Sequence, residues 1–405
     1  MKKILTLAAL AATLAFAAHA QTPAPAAAAA TPNPVRLGVL LGFTGPIESL
    51  TPGMAASAEL AIREVNESGL FLRGTRVEAV RADSTCTDAA AATTAAQRLV
   101  TVERIHALIG ADCSGVTTAV LQNVAVPRGL LVVSPSASSP ALSTVRDNDL
   151  FFRTAPSDAR QGEVIAELMR ERGISRAALT FTNNDYGRGL AGSIRSNFER
   201  LGGRITISAA HEDGKGDYTA EVAALAAAGG EILVVVGYLD QGGRGIIRSA
   251  LDSGAFTRFF LPDAMVGDSL AQAIGPALNG SFGTTPGSNS PGALRFEQLA
   301  RAANIRVGPF VHQSYDAAAL VLLAMQAANS TDSARVKAHI MAVANGPGET
   351  IQAGELAKGL RILAAGGRIN YEGASALKLV GPGDSAGSFS LIEVRNGRME
   401  TVGFR

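Results

Sequence analysis

Short apolar segments alternate with amphipathic segments along this chain, and this alternation restricts its fold more than any other feature. In the first part, the segments 35–42 (VRLGVLLG), 105–110 (IHALIG) and 130–136 (LLVVSPS) have the composition of buried strands. Between them, the segments 52–69 and 88–103 place apolar residues at helical spacing. Strands separated by helices of this length pair in parallel through right-handed crossovers. The sequence therefore predicts an α/β fold built on doubly wound parallel sheets.

The alternation starts again after the segment 150–158 (LFFRTAPSD), which predicts a second, similar lobe. The length of 405 residues is sufficient for two domains. Residues 283–292 (GTTPGSNSPG) interrupt the pattern with turn-forming residues and are predicted to be a connection. Residues 388–404 are predicted to form a hairpin with Asn396–Gly397 as its turn.

The first 20 residues have the composition of a secretory signal peptide. Lys2 and Lys3 are followed by an apolar run and by the small residues Ala18 and Ala20 at a cleavage site. Residues 21–34, rich in proline and alanine, are predicted to be a disordered tether. No cysteine near the predicted cut offers a position for a lipid anchor, and no later segment approaches ~20 consecutive apolar residues. We therefore expect export to a bacterial periplasm.

Charge and motifs exclude several functions. The 36 lysines and arginines nearly balance the 35 aspartates and glutamates, so bulk charge indicates neither a nucleic acid nor an anionic membrane as a partner. The sequence contains no H-E-x-x-H, C-x-x-C or P-loop motif. The histidines follow no metal-ligand or nucleophile–base spacing. We expect no metal, no cofactor and no enzymatic activity.

The chain has two cysteines, Cys86 and Cys113. Two cysteines in an exported protein usually pair, and closing a loop of this length stabilises the fold by about 3–4 kcal/mol in the chain-entropy model. The alternative is a secreted hydrolase with Cys113 or Ser114 as its nucleophile, and this alternative needs a base that the sequence does not place at a recognisable spacing.

Polar residues follow the predicted strands in both halves of the chain. Ligands of open α/β sheets bind beyond the carboxyl ends of the strands. The first half offers hydroxyls and helix-start N–H groups, which suit a carboxylate, and the second offers tyrosines and carboxylates, which suit an ammonium group. Taken singly, each serine also fits a cap or turn, each tyrosine a packing role and each aspartate a solvated cap; taken together, they predict a cleft for a small zwitterion. The residues are Ser114, Ser136, Ser138, Tyr186, Tyr238, Asp240 and Asp263.

Several ordered motifs resemble one family over essentially the whole chain after the signal peptide. They are GFTGPIESL (42–50), DSTCTDAAAA (83–92), ADCSGVTTAV (111–120), SPSASSPAL (134–142), FFRTAPSDARQGEVIA (151–166), NNDYGRGLAGSI (183–194), VVVGYLDQGGRGIIRSA (234–250) and INYEGAS (369–375). This set resembles the periplasmic leucine/isoleucine/valine-type solute-binding receptors of ABC transporters, which have the type I periplasmic binding protein fold. The family also includes receptors for amides, urea and aromatic acids.

The resemblance implies roles for the first-lobe residues. Ser114 is expected to hold the ligand carboxylate through its hydroxyl and N–H, and Ser138 to contact the same carboxylate. Ser136, with its neighbour Ala137, is expected to contribute backbone contacts, including one to the ligand ammonium. Family members carry a disulfide equivalent to Cys86–Cys113.

In the second lobe, the resemblance implies that Tyr186 and Tyr238 are aromatic walls and that Asp263 pairs with the ligand ammonium. Leu50 stands where branched-chain receptors often have an aromatic residue that frames the side-chain pocket. An aliphatic wall leaves room for a larger or aromatic side chain.

The resemblance further implies a Venus-flytrap architecture with three hinge crossovers near residues 155, 283 and 385. We expect 35–155 and 284–385 to form lobe 1, and 156–283 and 386–405 to form lobe 2. The expected function is that of a monomeric periplasmic receptor that delivers an amino acid, branched-chain or related apolar or aromatic, to an ABC permease in the inner membrane. A receptor for an aromatic acid, amide or other small carboxylate is the main alternative, and a sensory ligand-binding protein is another.

Overall fold

A computed structural model describes residues 33–405 of the chain; the predicted signal peptide and nearly all of the predicted tether lie outside this range. The described residues contain two large sheets, each covered by helices on both faces. We call the first sheet with its helices lobe 1 and the second sheet with its helices lobe 2. None of the helices in residues 33–405 has the length and apolar character needed to cross a bilayer.

Lobe 1 is built on a five-stranded, all-parallel sheet in the order β2-β1-β3-β4-β5. Its strands are β1 (Val35–Leu41), β2 (Val77–Asp83), β3 (Ala107–Gly110), β4 (Val132–Ser134) and β5 (Phe151–Arg153). The helices between them are α1 (Thr51–Ser68), α2 (Ala89–Thr101), α3 (Ser114–Val120) and, after a π-helical turn at Leu121–Ala125, α4 (Val126–Arg128). Helix α1 ends at Gly69, whose φ of 63° is the left-handed conformation in which glycine is favoured. The predicted alternation of strands and helices is confirmed.

Lobe 2 is built on a seven-stranded sheet in the order β16-β15-β10-β9-β8-β6-β7. Its helices include α5 (Asp158–Glu171), α6 (Asp185–Arg200), α7 (Thr219–Ala228), α8 (Gly242–Asp252) and α9 (Asp268–Ile274). Its first five strands are β6 (Arg176–Thr182), β7 (Arg204–His211), β8 (Ile232–Val236), β9 (Phe259–Leu261) and β10 (Phe282–Pro286), and they are parallel.

One connection was predicted where the structure has a strand. Residues 282–286 form β10, which pairs with β9 on one side and with the C-terminal hairpin on the other. Gly283 is required there because a Cβ at this position would lie 2.0 Å from the carbonyl oxygen of Leu261. Gly283 therefore allows the close approach of β9 and β10, and Pro286 is the last residue of β10; neither marks a turn within the segment.

The remaining chain returns to lobe 1 and ends in lobe 2. The helices α10 (Pro291–Ala302), α11 (Val311–Ala328), α12 (Ser333–Asn345) and α13 (Leu356–Ala364) come first, with α11 packed between α1 and its neighbours α12 and α13. Four short strands follow the helices or lie between them: β11 (Glu349–Gln352), β12 (Ile369–Gly373), β13 (Leu379–Val380) and β14 (Asp384–Ser385). The last strands, β15 (Phe389–Arg395) and β16 (Arg398–Phe404), form the predicted hairpin with its turn at Asn396–Gly397 and join sheet 2 in antiparallel register.

Candidate ligand-binding site

Strand order brings four loops to the interface between the lobes. In the sheet of lobe 1, successive strands are added on opposite sides of β1: β2 lies on one side and β3 on the other. In the sheet of lobe 2, β7 and β8 lie on opposite sides of β6 in the same way. Loops at such switch points leave a crevice between them. Leu50 and Tyr238 lie in the loops after β1 and β8, and Ser114 and Tyr186 lie in the first turns of the helices that follow β3 and β6.

A small cavity of about 20 Å³ lies where these loops meet. Seven of the nine predicted site residues line it. Ala137 does not: it is buried, and its N–H donates to Ser134 Oγ at 2.9 Å. Asp240 does not either: its Oδ2 accepts from the N–H of Ser49 at 3.0 Å. The seven are Leu50, Ser114, Ser136, Ser138, Tyr186, Tyr238 and Asp263, and the other lining residues are Ile47, Asp112, Cys113, Ala264 and Phe310. The volume is close to that of one water molecule.

The lobe 1 side presents three buried hydroxyls. Ser114 is the first residue of α3, and its Oγ accepts from the N–H of Ser139 at 3.1 Å. Ser136 Oγ donates to the carbonyl oxygen of Asp112 at 2.9 Å. Ser138 Oγ donates to Asp158 Oδ2 at 3.1 Å. Because a hydroxyl can donate one bond and accept two, the Ser114 donor remains available to an anion.

The lobe 2 side is a pair of stacked tyrosines with a buried carboxyl behind them. The rings of Tyr186 and Tyr238 are 5.5 Å apart and inclined by 23°. Tyr186 Oη donates to Asp263 Oδ1 at 2.8 Å, and Tyr238 Oη accepts from Asn184 Nδ2 at 3.2 Å. Asn184 also caps α6 by accepting from the N–H of Gly187, so one side chain fixes both the helix start and the tyrosine.

Two carboxyl groups from different segments face each other beneath the cavity. Asp158 and Asp263 are both essentially inaccessible to solvent. With its amide nitrogen turned toward them, Gln161 donates to Asp158 Oδ1 at 3.1 Å and to Asp263 Oδ2 at 3.2 Å. Sequence reasoning identified Asp263 and missed Asp158, which stands at the start of α5 and has the ordinary sequence signature of a helix-starting acid.

Burial controls the protonation of this pair. It raises the pKa of Asp158 well above its usual range; the Asp263 charge adds to this effect, whereas Arg153 opposes it. Burial likewise raises the pKa of Asp263 to about 6, against hydrogen bonds from Tyr186, the N–H of Ala264 and Gln161. Burial and mutual repulsion thus disfavour ionisation of both carboxyls together, and a nearby cation would favour it.

The two cysteines form the predicted disulfide, with Cα atoms 5.1 Å apart. The bond joins the loop after β2 to the residue before α3, so it holds Ser114 at the cavity wall. Cys113 therefore has no thiol to act as a nucleophile. Ser114 Oγ accepts from the backbone N–H of Ser139, and no histidine within residues 33–405 bonds to it, whereas a serine nucleophile needs an adjacent base.

A pattern of the G-x-S-x-G type occurs at residues 383–387, where hydrolases place a nucleophilic serine. The structure opposes this role because Ser385 belongs to the two-residue strand β14 and bridges to Pro156, outside any strand–turn–helix elbow.

Phe310 also lines the cavity and was not among the predicted residues. It precedes α11 with a φ of 62°, an uncommon conformation for a bulky residue. Its side chain is buried and lines the cavity beside Leu50. No local sequence signal marks this residue, because it reaches the cavity only through the fold of the late helices.

Comparisons with known proteins identify the family of the chain. The family model described as "Periplasmic binding protein" matches residues 34–351. A chemotactic signal transduction system substrate-binding protein of Halobacterium salinarum is 27% identical over 353 residues, which cover 84% of this chain and 82% of the relative. The Leu/Ile/Val-binding protein homolog 1 of Brucella melitensis is 28% identical over 308 residues, 75% of this chain and 81% of the relative.

Solved structures share the fold. A leucine-binding protein of Thermotoga maritima matches with a TM-score of 0.76 and 21% identity, covering 91% of this chain and 98% of that one. A solute-binding protein of Rhodopseudomonas palustris in complex with benzoate matches with a TM-score of 0.72 and 18% identity, covering 92% and 96%.

Proposed function

The chain belongs to the periplasmic binding protein family, and from this premise we propose that it is the receptor of an ABC importer that binds an amino acid between its lobes. The relatives named for leucine, isoleucine and valine support this class of ligand. One observation carries the proposal: the buried carboxyl of Asp263 lines the same small cavity as the hydroxyls of Ser114 and Ser138, and a second buried carboxyl, that of Asp158, lies behind Ser138.

The proposed contacts follow from charge. A ligand ammonium placed against Asp263, with Asp158 behind Ser138, would relieve the repulsion between the two carboxyls. The ligand carboxylate would then lie at the start of α3, where the Ser114 hydroxyl and the helix N–H groups are donors.

The ligand side chain would pack among apolar and aromatic walls. Tyr186 and Tyr238 form one wall, and Ile47, Leu50 and Phe310 form the other. We retain Ser136 as a proposed backbone contact. Ala137 is a weaker candidate, because its N–H is already bonded to Ser134.

Binding would close the two lobes about their crossovers. We propose the lobe boundaries predicted above, with hinges near 155, 283 and 385; the bridge between Pro156 and Ser385 joins two of these crossovers. A bond between the lobes holds the closed form: the N–H of Ser49 donates to Asp240 Oδ2 at 3.0 Å. Asp240 also accepts from Ser269 at 2.6 Å, which orients its carboxylate. Hinge closure of this kind buries the ligand and excludes water.

The family is periplasmic and binds solutes, and we propose the finer points that go with it. The chain would be exported by cleavage of the predicted signal peptide 1–20, act as a monomer without catalytic activity, and deliver its ligand to a membrane permease.

The proposal is tested by a thermal-shift panel. The protein is unfolded and refolded to strip bound ligand, and amino acids, amides and aromatic acids are then added singly. An apolar or aromatic amino acid is expected to raise the Tm, because a ligand that binds only the folded state stabilises it by mass action. Stabilisation by benzoate-type acids without any amino acid would instead establish the aromatic-acid alternative, which the stacked tyrosine pair favours.

A further inference from the structure

A second and much larger cavity adjoins the proposed ligand site. It has a volume of about 700 Å³ and lies between the lobes, bounded by the start of α1, the crossover after β10, the start of α11 and the C-terminal hairpin. We call it the outer chamber. Leu50 lines both the inner cavity and the outer chamber, so this one side chain stands between them.

Two other segments also have nearby residues that line different spaces. Phe310 lines the inner cavity and the next residue, Val311, lines the outer chamber; Ala264 and Val266 are divided in the same way. A ligand held by Asp263 and Ser114 would therefore lie beside the residues that separate the two spaces. The outer chamber lies within the range of volumes that small-molecule sites occupy, whereas the inner cavity by itself does not.

Two residues that line the chamber each carry a polar side-chain atom that solvent does not reach and that has no hydrogen-bond partner within residues 33–405. They are Thr285, from lobe 2, with its Oγ1, and His312, from lobe 1, with its Nε2. Buried polar groups are nearly always paired, so an unpaired atom on a lining residue of each lobe requires a reason. A polar ligand group in the chamber supplies one when rotations of these side chains turn the two atoms toward it.

The charges at the chamber select a neutral group. Arg306 is paired with Asp268 at 3.6 Å, and both are exposed. Glu297 also lines the chamber and disfavours an anionic ligand group. His312 is held neutral, because burial lowers its pKa to about 4. A neutral donor–acceptor group such as a phenol or amide matches this surface.

We propose that the preferred ligand is an amino acid with an extended side chain that passes Leu50 and ends in a neutral hydroxyl, a phenol of the tyrosine type, bound by Thr285 and His312. The apolar chamber residues Val266, Val311 and Met399 suit the ring. This inference rests on the proposed function and adds the class of side chain.

Isothermal titration calorimetry of the refolded protein with L-leucine, L-phenylalanine and L-tyrosine tests the proposal. Tyrosine is expected to bind roughly tenfold more tightly than phenylalanine, the difference expected for one hydrogen bond to groups that are otherwise unpaired. Thr285→Val keeps the shape of the side chain and should remove this difference while leucine binds as before. Leu50→Tyr narrows the passage and should weaken tyrosine binding at least tenfold.

Thr206→Val is the matched control, because this threonine lies on the edge strand β7 and its hydroxyl bonds within lobe 2 to the carbonyl oxygen of Gly229. It should leave all three affinities unchanged. Equal affinities for tyrosine and phenylalanine, or a tyrosine preference that survives Thr285→Val, would overturn the inference while leaving the proposed function intact through leucine or phenylalanine binding. Failure of every amino acid to bind would overturn both.

Discussion

Replacing Asp263 with asparagine is expected to change ligand affinity and the stability of the ligand-free protein in opposite directions. Asparagine keeps the size of the side chain, and its oxygen still accepts from Tyr186 and from the N–H of Ala264. Its amide, however, carries no charge to pair with a ligand ammonium. The variant therefore separates the electrostatic role of this carboxyl from its packing.

The affinity should fall because one partner of a buried charge pair is lost. Removing such a partner costs about 2–5 kcal/mol, which corresponds to a Kd higher by roughly 30-fold to several thousandfold. The stability of the ligand-free protein should rise. In the folded state the pKa of Asp263 is raised from 3.8 to about 6, so the stabilisation from its protonated form is complete below pH 3.8 and is lost as the pH rises through about 6.

At pH 7.5 the ionised Asp263 thus opposes folding by an amount on the order of 3 kcal/mol, from the size of the pKa shift. The asparagine variant removes this cost, and we expect a gain of about 1–3 kcal/mol in the free energy of unfolding after allowance for weaker hydrogen bonds. Urea denaturation without ligand measures the gain, and calorimetric titration of an amino acid that binds the wild type measures the loss of affinity.

Asp316→Asn is the matched control. Asp316 is equally buried, has a pKa raised to about 6 and accepts from Tyr371 and Ser375, yet it does not line the cavity. Its replacement should leave the Kd within twofold of the wild type. A wild-type Kd for the Asp263 variant would refute the ammonium assignment, and equal losses for both variants would show that the effect is not specific to the site.

Three further outcomes follow from the same contacts. Asp240→Ala removes the bond that the N–H of Ser49 makes between the lobes. Stopped-flow fluorescence should show that the ligand dissociates about tenfold faster, which is the effect of one hydrogen bond to a charged group. An unchanged dissociation rate would show that this bond does not contribute to lobe closure. Replacing Cys86 and Cys113 together by serine should lower the free energy of unfolding by about 3–4 kcal/mol in urea titrations, and a loss below 1 kcal/mol would contradict the loop-entropy argument. Lowering the pH should weaken binding of an ammonium ligand about tenfold per pH unit below about 6, because Asp263 is then protonated in the free protein. Calorimetry in two buffers should detect the release of a proton on binding. A Kd that stays constant between pH 5 and 7.5 would oppose the assignment.

Several features of the fold were predictable from local sequence. The period of the apolar residues distinguishes strands from helices, and the Asn396–Gly397 pair indicates a hairpin turn. The exception is β10, where Gly283 and Pro286 have the composition of a connection. Whether a glycine marks a turn or a close approach between strands depends on the neighbouring strand, and that neighbour, Leu261, is known only in three dimensions.

The candidate site likewise contains residues that could be predicted from the sequence and residues that could not. Residues at strand ends, such as Ser114 and Tyr186, could be found from sequence, because parallel strands place their carboxyl ends at one edge of the sheet. Asp158 and Phe310 could not. Asp158 resembles an ordinary helix-starting acid, and Phe310, which precedes α11, carries no local signal. Asp158 meets Asp263, and Phe310 reaches the cavity, only through the packing of the second lobe and of the late helices.

The sequence by itself determined the two-lobed α/β fold, the cysteine pair available for a disulfide and the polar strand ends, because each of these depends on local periodicity or on composition. Only the tertiary structure decided which groups meet. It placed Asp158 against Asp263 and put Leu50 between a small inner cavity and a large chamber. The physical reason is that burial and the repulsion between charges depend on distances through space, and segments far apart in the chain acquire those distances only when the lobes pack together.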